Sequence, residues 1–411
     1  MAEKFYITTA IDYTNGPPHL GHALEKIQAD VLARYHRLRG DDVFFLTGTD
    51  EHGVKIVKAA KEAGKEPKEF VEKFSLEFQR LLKELSISND DFIRTSDQKR
   101  HWSAVSKIWN SLKDNGDLYK AKYKGLYCVG HEAFLKKSDL KDGLCPDHQT
   151  EPEEIEEENY FFKLSKYKDK VREIISKDEI KIYPQFRKDE VLNLLKESED
   201  ISFSRPRKDI SWGIPSPDDR EHTIYVWLEA LVNYISAIGY ADDTLQFRKL
   251  WPADVHLIGK DILRFHAIIW PAILLAAGLK TPKSIFVHGH ITIDGKKMSK
   301  KVGNVIDPFQ IAWKYGVDPL RYYLLREIPS HEDGDYSVEK FEVRYNADLA
   351  NGLGNLVSRV AKLCENSKLE FHYDNTYHLS IDTEIARLIE KFRFDEAVKF
   401  IWEKISELDQ E

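Results

Sequence analysis

The chain has 411 residues, 42% of them hydrophobic and 32% charged, and its 61 Lys and Arg against 69 Asp and Glu give a formal charge of −8. At roughly 100–200 residues per domain that length predicts two to four domains. The 21 Phe, 19 Tyr and 8 Trp exclude a disordered chain, which lacks the apolar surface needed to order itself.

A net negative charge leaves a nucleic-acid partner open, because a local basic patch decides that question. Three cysteines exclude a disulfide framework and favour a reducing compartment or a metal. The start, Met1-Ala2-Glu3-Lys4-Phe5-Tyr6-Ile7, has no basic segment followed by an apolar one, so secretion is not expected. The longest apolar stretch, about 266–279, is shorter than a membrane span and holds Pro271. A soluble, cytoplasmic protein without a membrane partner is expected.

In chain order, residues 5–10 read as a strand and Tyr13-Thr14-Asn15-Gly16-Pro17-Pro18 as a turn. A helix over 22–39 follows, with Leu24, Ile27, Val31, Tyr35 and Leu38 at helical spacing and Gly40 as its C-cap. Val43-Phe44-Phe45-Leu46 is a buried strand ending in Thr47-Gly48-Thr49-Asp50, which completes a βαβ unit with parallel strands. Helical patterns occupy about 65–85 and 99–115. Residues 116–217 read as an insertion that holds two of the cysteines, a run at 151–158 with six Glu, and a closing Trp212-Gly213-Ile214-Pro215-Ser216-Pro217. The Glu run is read as a solvated segment without a role. Strands at 255–258 and 285–288 flank a helical stretch at 262–277, and beyond about 341 the pattern is all helical.

Three groups of residues can carry chemistry. His19-Leu20-Gly21-His22 stands where a βα turn enters a helix, whose unpaired N–H groups and partial positive charge suit a phosphate. Gly21 lets a ligand approach the backbone, and the two imidazoles can donate to phosphate oxygens; the alternative is a pair of ordinary surface histidines. Lys296-Lys297-Met298-Ser299-Lys300-Lys301, after Asp294-Gly295, makes a cationic loop on a flexible turn. Its ammonium groups can neutralise polyphosphate charge in a transition state; the alternative is a solvated basic loop. Cys128-Val129-Gly130-His131 and Cys145-Pro146-Asp147-His148, thirteen residues apart, supply two thiolates and two imidazoles, enough for a closed, structural Zn2+ site.

The first two motifs resemble the HIGH and KMSKS signatures of class I aminoacyl-tRNA synthetases, with Lys301 where the second usually ends in Ser. Asn15-Gly16-Pro17-Pro18, Thr47-Gly48-Thr49-Asp50-Glu51-His52-Gly53, Tyr225-Val226-Trp227-Leu228 and Gly259-Lys260-Asp261-Ile262 narrow the resemblance to the methionyl-tRNA synthetase family, over essentially the whole chain. It implies an α/β, Rossmann-like parallel-sheet catalytic domain at 1–115 and 218–290, with the zinc-bearing insertion at 116–217. A connecting module with the lysine loop at 291–340 and an incomplete helical anticodon-binding domain at 341–411 complete the plan. The helical domain would be completed by chain beyond Glu411 or by a separate polypeptide.

The implied reaction is attack of the methionine carboxylate on the α-phosphorus of ATP, with Mg2+, followed by transfer of methionine to the 3′-terminal adenosine of tRNA-Met. By resemblance, His19 and His22 contact the phosphates, and Lys300 with Lys297 stabilises the transition state. Gly21, Gly259, Asp261 and Ile291 hold the nucleotide, although Asp261 also suits a helix N-cap. The implied methionine pocket is Ala10, Ile11, Tyr13, Asp50, Trp227, Leu231, Tyr234, Ile262, His266 and Trp270. In it Asp50 meets the ammonium group, and Tyr13 and His266 meet the sulfur. Periodicity alone also allows Tyr234 and Trp270 to be core. Asn355 and Arg359, one turn apart, are the implied anticodon contacts; an ordinary surface pair is the alternative.

Overall fold

The computed structural model describes residues 2–130, 133–135, 137, 140–146, 149–208, 210–298, 303–367 and 381–410. Their contacts group into two units: Met1–Pro18, His36–Leu82 and Ser88–Val287 in the first, and His19–Tyr35, Lys83–Ile87 and His288–Glu411 in the second. Among the described residues no helix is long and apolar enough to cross a membrane.

The first unit is built on a seven-stranded sheet. Its early strands are β1 (Lys4–Thr9), β2 (Asp12–Tyr13), β3 (Asp42–Asp50) and β4 (Asp91–Arg94). The order is β2, β3, β1, Val255–Gly259, Ser284–His288 and Lys181–Tyr183, with β4 also on β3. β1 pairs in parallel with β3 and with Val255–Gly259, and β2 and β4 both pair in parallel with β3. Residues Tyr6 to Thr9 are fully buried, as expected for a parallel strand covered on both faces. Ala10, Asp50 and Gly259 therefore all stand at the carboxyl edge, where open α/β sheets bind ligands.

Around the sheet, helices Ser103–Asp114, Leu164–Ser176 and Val226–Ser236 share one apolar core with it, centred on Trp109, Ile175 and Leu228. Trp109 is fully enclosed and places its one polar atom by donating from Nε1 to Asp218 at 3.0 Å.

Two features of residues 116–217 differ from the sequence reading. Lys181–Tyr183 pairs in parallel with Ser284–His288 and so extends the main sheet; three residues are too few to show a periodicity. The Glu run is mostly solvated, as expected, but it belongs to a strand: Glu153–Phe162 runs antiparallel to Leu118–Cys128 in a four-stranded sheet. Its charge is balanced across the ladder, Lys124 meeting Glu154 at 3.0 Å and Lys120 meeting Glu158 at 3.3 Å. Glu157 points the other way, buried against Arg205 at 2.8 Å.

In the second unit, helix α1 (Leu20–Leu38) supplies buried acids as anchors. Asp30 receives Arg321 at 2.6 Å and Arg34 at 2.7 Å, and Arg321 also donates to the Leu85 carbonyl at 2.9 Å. Strands Lys296–Lys297, Ile291–Ile293 and Gly334–Tyr336 form a small sheet. Asp294 and Gly295, both at positive φ (51° and 70°), close a two-residue hairpin between the first two, so what reads as a flexible turn is a specified one. The Asp335 carboxylate braces it, accepting from the Gly295 N–H at 2.8 Å and the Thr292 hydroxyl at 2.7 Å. Beyond Tyr336 the described residues are helical, as expected: Val338–Arg344, a wide π-type turn Tyr345–Gly354, Asn355–Asn366, Thr383–Glu390 and Phe394–Gln410.

Candidate active site

At the carboxyl edge of the main sheet, β2 and β3 set Tyr13 and Asp50 side by side in register. The Thr14 N–H and hydroxyl both donate to the Asp50 carbonyl at 3.0 Å, so the main chain of this corner is held twice. The Asp50 side chain is buried, and its Oδ1 accepts the Thr95 hydroxyl at 3.3 Å. The next residue, Glu51, is a fully buried brace. It accepts the Thr49 hydroxyl at 2.6 Å, Arg94 through Nε at 2.7 Å and Nη2 at 3.0 Å, and the Ser96 hydroxyl. A bidentate guanidinium of this kind fixes a carboxylate in direction as well as place.

Trp227, Leu231 and Tyr234 recur at i, i+4 and i+7 along the helix Val226–Ser236, which puts them on one stripe. Ile262, His266 and Trp270 recur every four residues across a segment that the sequence presents as one helix. The structure divides it into a 3₁₀ turn Lys260–Ile262, a π-type turn Phe265–Ile269 and a helix Trp270–Ala276. Pro271 explains the wide turn: it lacks an N–H for the carbonyl four residues back, and its ring would collide with that carbonyl in a regular helix. Asp261 is exposed in the 3₁₀ turn, whose N-cap is Gly259, so Asp261 is not the cap.

These segments meet in one aromatic and imidazole cluster. The Tyr234 hydroxyl lies 2.7 Å from His266 Nε2, and His266 Nδ1 lies 3.0 Å from the Ile262 carbonyl. A carbonyl only accepts, so Nδ1 carries the proton, and in a neutral ring Nε2 accepts from Tyr234. Trp227 is half-buried and stacks on Phe265, ring centroids 3.6 Å apart at 11°. Ala10, Leu231, Tyr234, His266 and Trp270 are buried, while Ile11, Tyr13 and Ile262 are partly open. Beside the cluster, His52 Nδ1 meets Glu229 Oε1 at 2.9 Å, tying the residue after Glu51 to the helix that carries Trp227. His101 is fully enclosed nearby, and burial, helped by His52, pushes its pKa down to about 3.

The second unit holds the other motif residues. His19 and His22 stack, centroids 3.8 Å apart at 25°. The His19 N–H donates to His22 Nδ1 at 3.0 Å and the Gly21 N–H donates to His19 Nδ1 at 3.1 Å. Each neutral ring therefore uses Nδ1 as acceptor and carries its proton on Nε2, at a helix N-terminus. A Cβ on Gly21 would come within 3.0 Å of the His19 ring and 3.8 Å of Met298 Cε. Met298 of the lysine loop thus stands beside the histidine turn, and the loop's far flank bonds to that turn, the Leu20 N–H donating to the Ile306 carbonyl at 3.2 Å. Lys297 lies in the hairpin opposite Thr292; its side chain and Lys300 lie outside the described residues. Ile291 is buried at the start of the same hairpin.

A further contact of α1 is Glu25 with His288 at 3.1 Å and with Lys26 at 2.7 Å. Burial alone would raise the Glu25 pKa, yet the Lys26 ammonium and the contact with His288 hold it below the usual range.

Asn355 and Arg359 are exposed on the helix Asn355–Asn366, where Arg359 pairs with Asp409. Cys128 and Cys145 are both buried; His131 and His148 lie outside the described residues. Among the described residues no group of three or more His, Cys, Asp or Glu is placed to hold a metal ion.

Several residues escaped the sequence reading. Glu51 and His52 stand inside the Thr47–Gly53 signature, but only Asp50 had an evident task there. Glu229 lies two residues past Trp227, and Phe265 adjoins His266. Adjacency to a motif was the available signal for all four.

A family model described as "tRNA synthetases class I (M)" matches residues 5–154 and 136–361. A methionine–tRNA ligase of Thermotoga maritima is 45% identical over 431 aligned positions, covering 99% of this chain and 67% of that protein. One from Brucella suis is 49% identical, covering 88% of this chain and 72% of its own length. Among solved structures, Mycobacterium tuberculosis methionyl-tRNA synthetase in complex with methionyl-adenylate superposes with a TM-score of 0.91 at 39% identity, over 99% of this chain and 83% of that one. The parallel sheet, the two signature motifs and these matches place the chain in the class I, methionine-specific tRNA synthetase family.

Proposed function

We infer that the chain is a methionine–tRNA ligase that activates methionine with ATP to methionyl-adenylate and then esterifies tRNA-Met. The observation that carries the reading is that the far flank of the lysine loop bonds to the histidine turn, the Leu20 N–H donating to the Ile306 carbonyl with Met298 beside Gly21, while His19 and His22 both keep a proton on Nε2.

The nucleophile, a carboxylate, is already ionised at pH 7, so activation needs no general base. Its oxygen forms a bond to the α-phosphorus as the bond to pyrophosphate breaks, and positioning with charge neutralisation lowers the barrier. His19 and His22 donate from Nε2 to phosphate oxygens, and Lys300, with Lys297, neutralises charge that builds as pyrophosphate leaves. Gly21 leaves room for the nucleotide, Ile291 packs on the adenine, and Gly259 and Asp261 take the ribose. Mg2+, when bound with the nucleotide, would supply further charge neutralisation.

In the methionine pocket Asp50 pairs with the ammonium group, positioned by Thr95 and by the Glu51–Arg94 brace behind it. Ala10, Ile11, Leu231 and Ile262 supply apolar walls. Tyr13, Trp227, Tyr234, His266 and Trp270 present aromatic edges, which a thioether sulfur favours. Asn355 and Arg359 read anticodon bases. The matched relatives are longer than this chain, and they give a separate polypeptide no support.

Two buried thiols and two imidazoles are a donor set that fits structural zinc, with Cys128, His131, Cys145 and His148 as its holders. Such a zinc would hold together the insertion at 116–217. Metal analysis returning one zinc per chain supports this; zinc-free, folded protein removes it.

The test of the whole reading is amino-acid-dependent pyrophosphate exchange. Methionine should drive it and leucine or valine should not. Exchange driven by another amino acid would overturn the substrate, and no exchange from folded protein would leave a non-catalytic RNA-binding protein in its place.

A further inference from the structure

Beside the methionine pocket lies a second histidine, His256, in the strand Val255–Gly259 and fully buried. Its two ring nitrogens have different partners. The Trp270 indole N–H donates to Nε2 at 3.3 Å, and Nδ1 lies 2.7 Å from the Thr8 hydroxyl. An indole N–H is a donor only, so Nε2 carries no proton and Nδ1–H donates to Thr8 on β1. The ring also packs on Tyr234, centroids 4.3 Å apart, and Tyr234 is the residue whose hydroxyl engages His266. Tyr234 has a second tie to the sheet, its carbonyl accepting the Tyr6 hydroxyl at 2.6 Å.

We propose that His256, as its neutral Nδ1–H tautomer, is a positioning residue for methionine side-chain recognition, fixing the Trp270 and Tyr234 rings to β1 without touching the substrate. The proposal rests on the reading of Tyr234 and Trp270 as pocket walls.

The chemistry explains why a histidine stands here. The position needs an acceptor for a buried indole and a donor for a buried hydroxyl on opposite sides of one flat ring, which an apolar side chain does not supply. Leaving the indole N–H unpaired in an apolar site costs a full desolvation penalty, so the ring would turn to find another acceptor. Burial, with the neighbouring His266, holds the His256 pKa well below the usual value, in keeping with the neutral ring that the hydrogen bonds require. A turned Trp270 reshapes the surface against which an unbranched side chain lies. It leaves the phosphate chemistry alone, so the effect belongs in KM for methionine and not in kcat.

Two substitutions separate this role from simple packing. His256→Gln can return an acceptor oxygen to the Nε2 position, whereas His256→Asn keeps the Thr8 contact and loses the Trp270 one. In methionine-dependent exchange, Asn should raise KM for methionine about tenfold or more with kcat within about threefold, and Gln should stay within about threefold of the unchanged protein. Equal effects of Asn and Gln, or a change confined to kcat, would overturn the proposal.

The unchanged protein supplies a readout independent of how the variants fold. Nitrogen-15 NMR should show His256 with Nδ1 protonated and Nε2 bare from about pH 5 to 8. The Trp270 indole N–H signal should shift when methionine is added. A proton on Nε2, or an indole signal indifferent to methionine, contradicts the proposal. Absence of methionine-dependent exchange in the unchanged protein would instead remove the functional reading beneath it, while leaving the tautomer result intact.

Discussion

The residues assigned to methionine and those assigned to the phosphates are built on opposite principles. The inner side of the cluster proposed for methionine, in the first unit, is enclosed: Tyr234, His266, Trp270 and the adjoining His256 are each 2% exposed or less, and each is hydrogen-bonded. Among the residues proposed to meet the phosphates in the second unit, His19 and His22 are half-open and set by backbone N–H groups at a helix start, and the Lys297 backbone is carried on a hairpin. The difference suits the two proposed tasks. Telling methionine from similar apolar side chains rests on shape, where one methylene is worth only about 1–3 kcal/mol, so the walls must not yield. Neutralising a departing pyrophosphate rests on charge that strengthens late, so donors at an open helix end suffice.

That contrast can be broken or sharpened by experiment. The largest effect is expected from Lys300→Ala, which should lower the rate of adenylate formation by about 10²- to 10³-fold while ATP binding changes little; rapid-quench measurement checks it, and an unchanged rate contradicts the assigned role. Asp50→Asn removes the proposed partner of the methionine ammonium group and should weaken methionine binding by about 30-fold or more, measured by calorimetric titration.

Acid should act on the enclosed unit through its buried imidazoles. His101 has its pKa lowered to about 3, and His256 has its pKa lowered as well, both chiefly by burial. The unfolded chain takes up protons near pH 6.5 that these folded rings refuse. Their contribution to stability is therefore complete above about pH 6.5 and is lost as pH falls below it, by up to ~1.4 kcal/mol per pH unit for each ring. Denaturant unfolding at pH 7 and pH 5 tests this, and a flat profile counts against the neutral assignments. A smaller change is expected for Gly21→Ala, whose Cβ would lie 3.0 Å from the His19 ring. Turning that ring should lower kcat about fivefold without altering KM for methionine.

Much of this was legible in the residues themselves. The periodicity of Leu24, Ile27, Val31 and Tyr35 with Gly40 behind it marks α1, and the apolar run after it marks β3, so the βαβ unit and its motif turn follow from spacing. The methionine cluster was named by resemblance, and its helical faces follow from four- and seven-residue spacings.

What stayed hidden depends on distant partners. The Glu run becomes a strand because Lys120 and Lys124 stand across from it, and nothing within eight residues of local sequence reports that. Lys181–Tyr183 is a strand only because Ser284–His288 lies beside it. The division of residues 262–277 had a local cause in Pro271, although periodicity drew the eye to a continuous helix. Which nitrogen bears the proton on His19, His22 and His256 is decided by a backbone amide or an indole, and spacing says nothing of that.

The account stands or falls on the separability of choosing the amino acid and moving the phosphates. The most direct measurement is kcat/KM for methionine-dependent exchange in Asp50→Asn, Lys300→Ala and the double variant. Independent roles predict that the two fold-losses multiply to within about twofold. A double variant no worse than the more damaging single one would show the two residues acting as one unit, and would contradict the account.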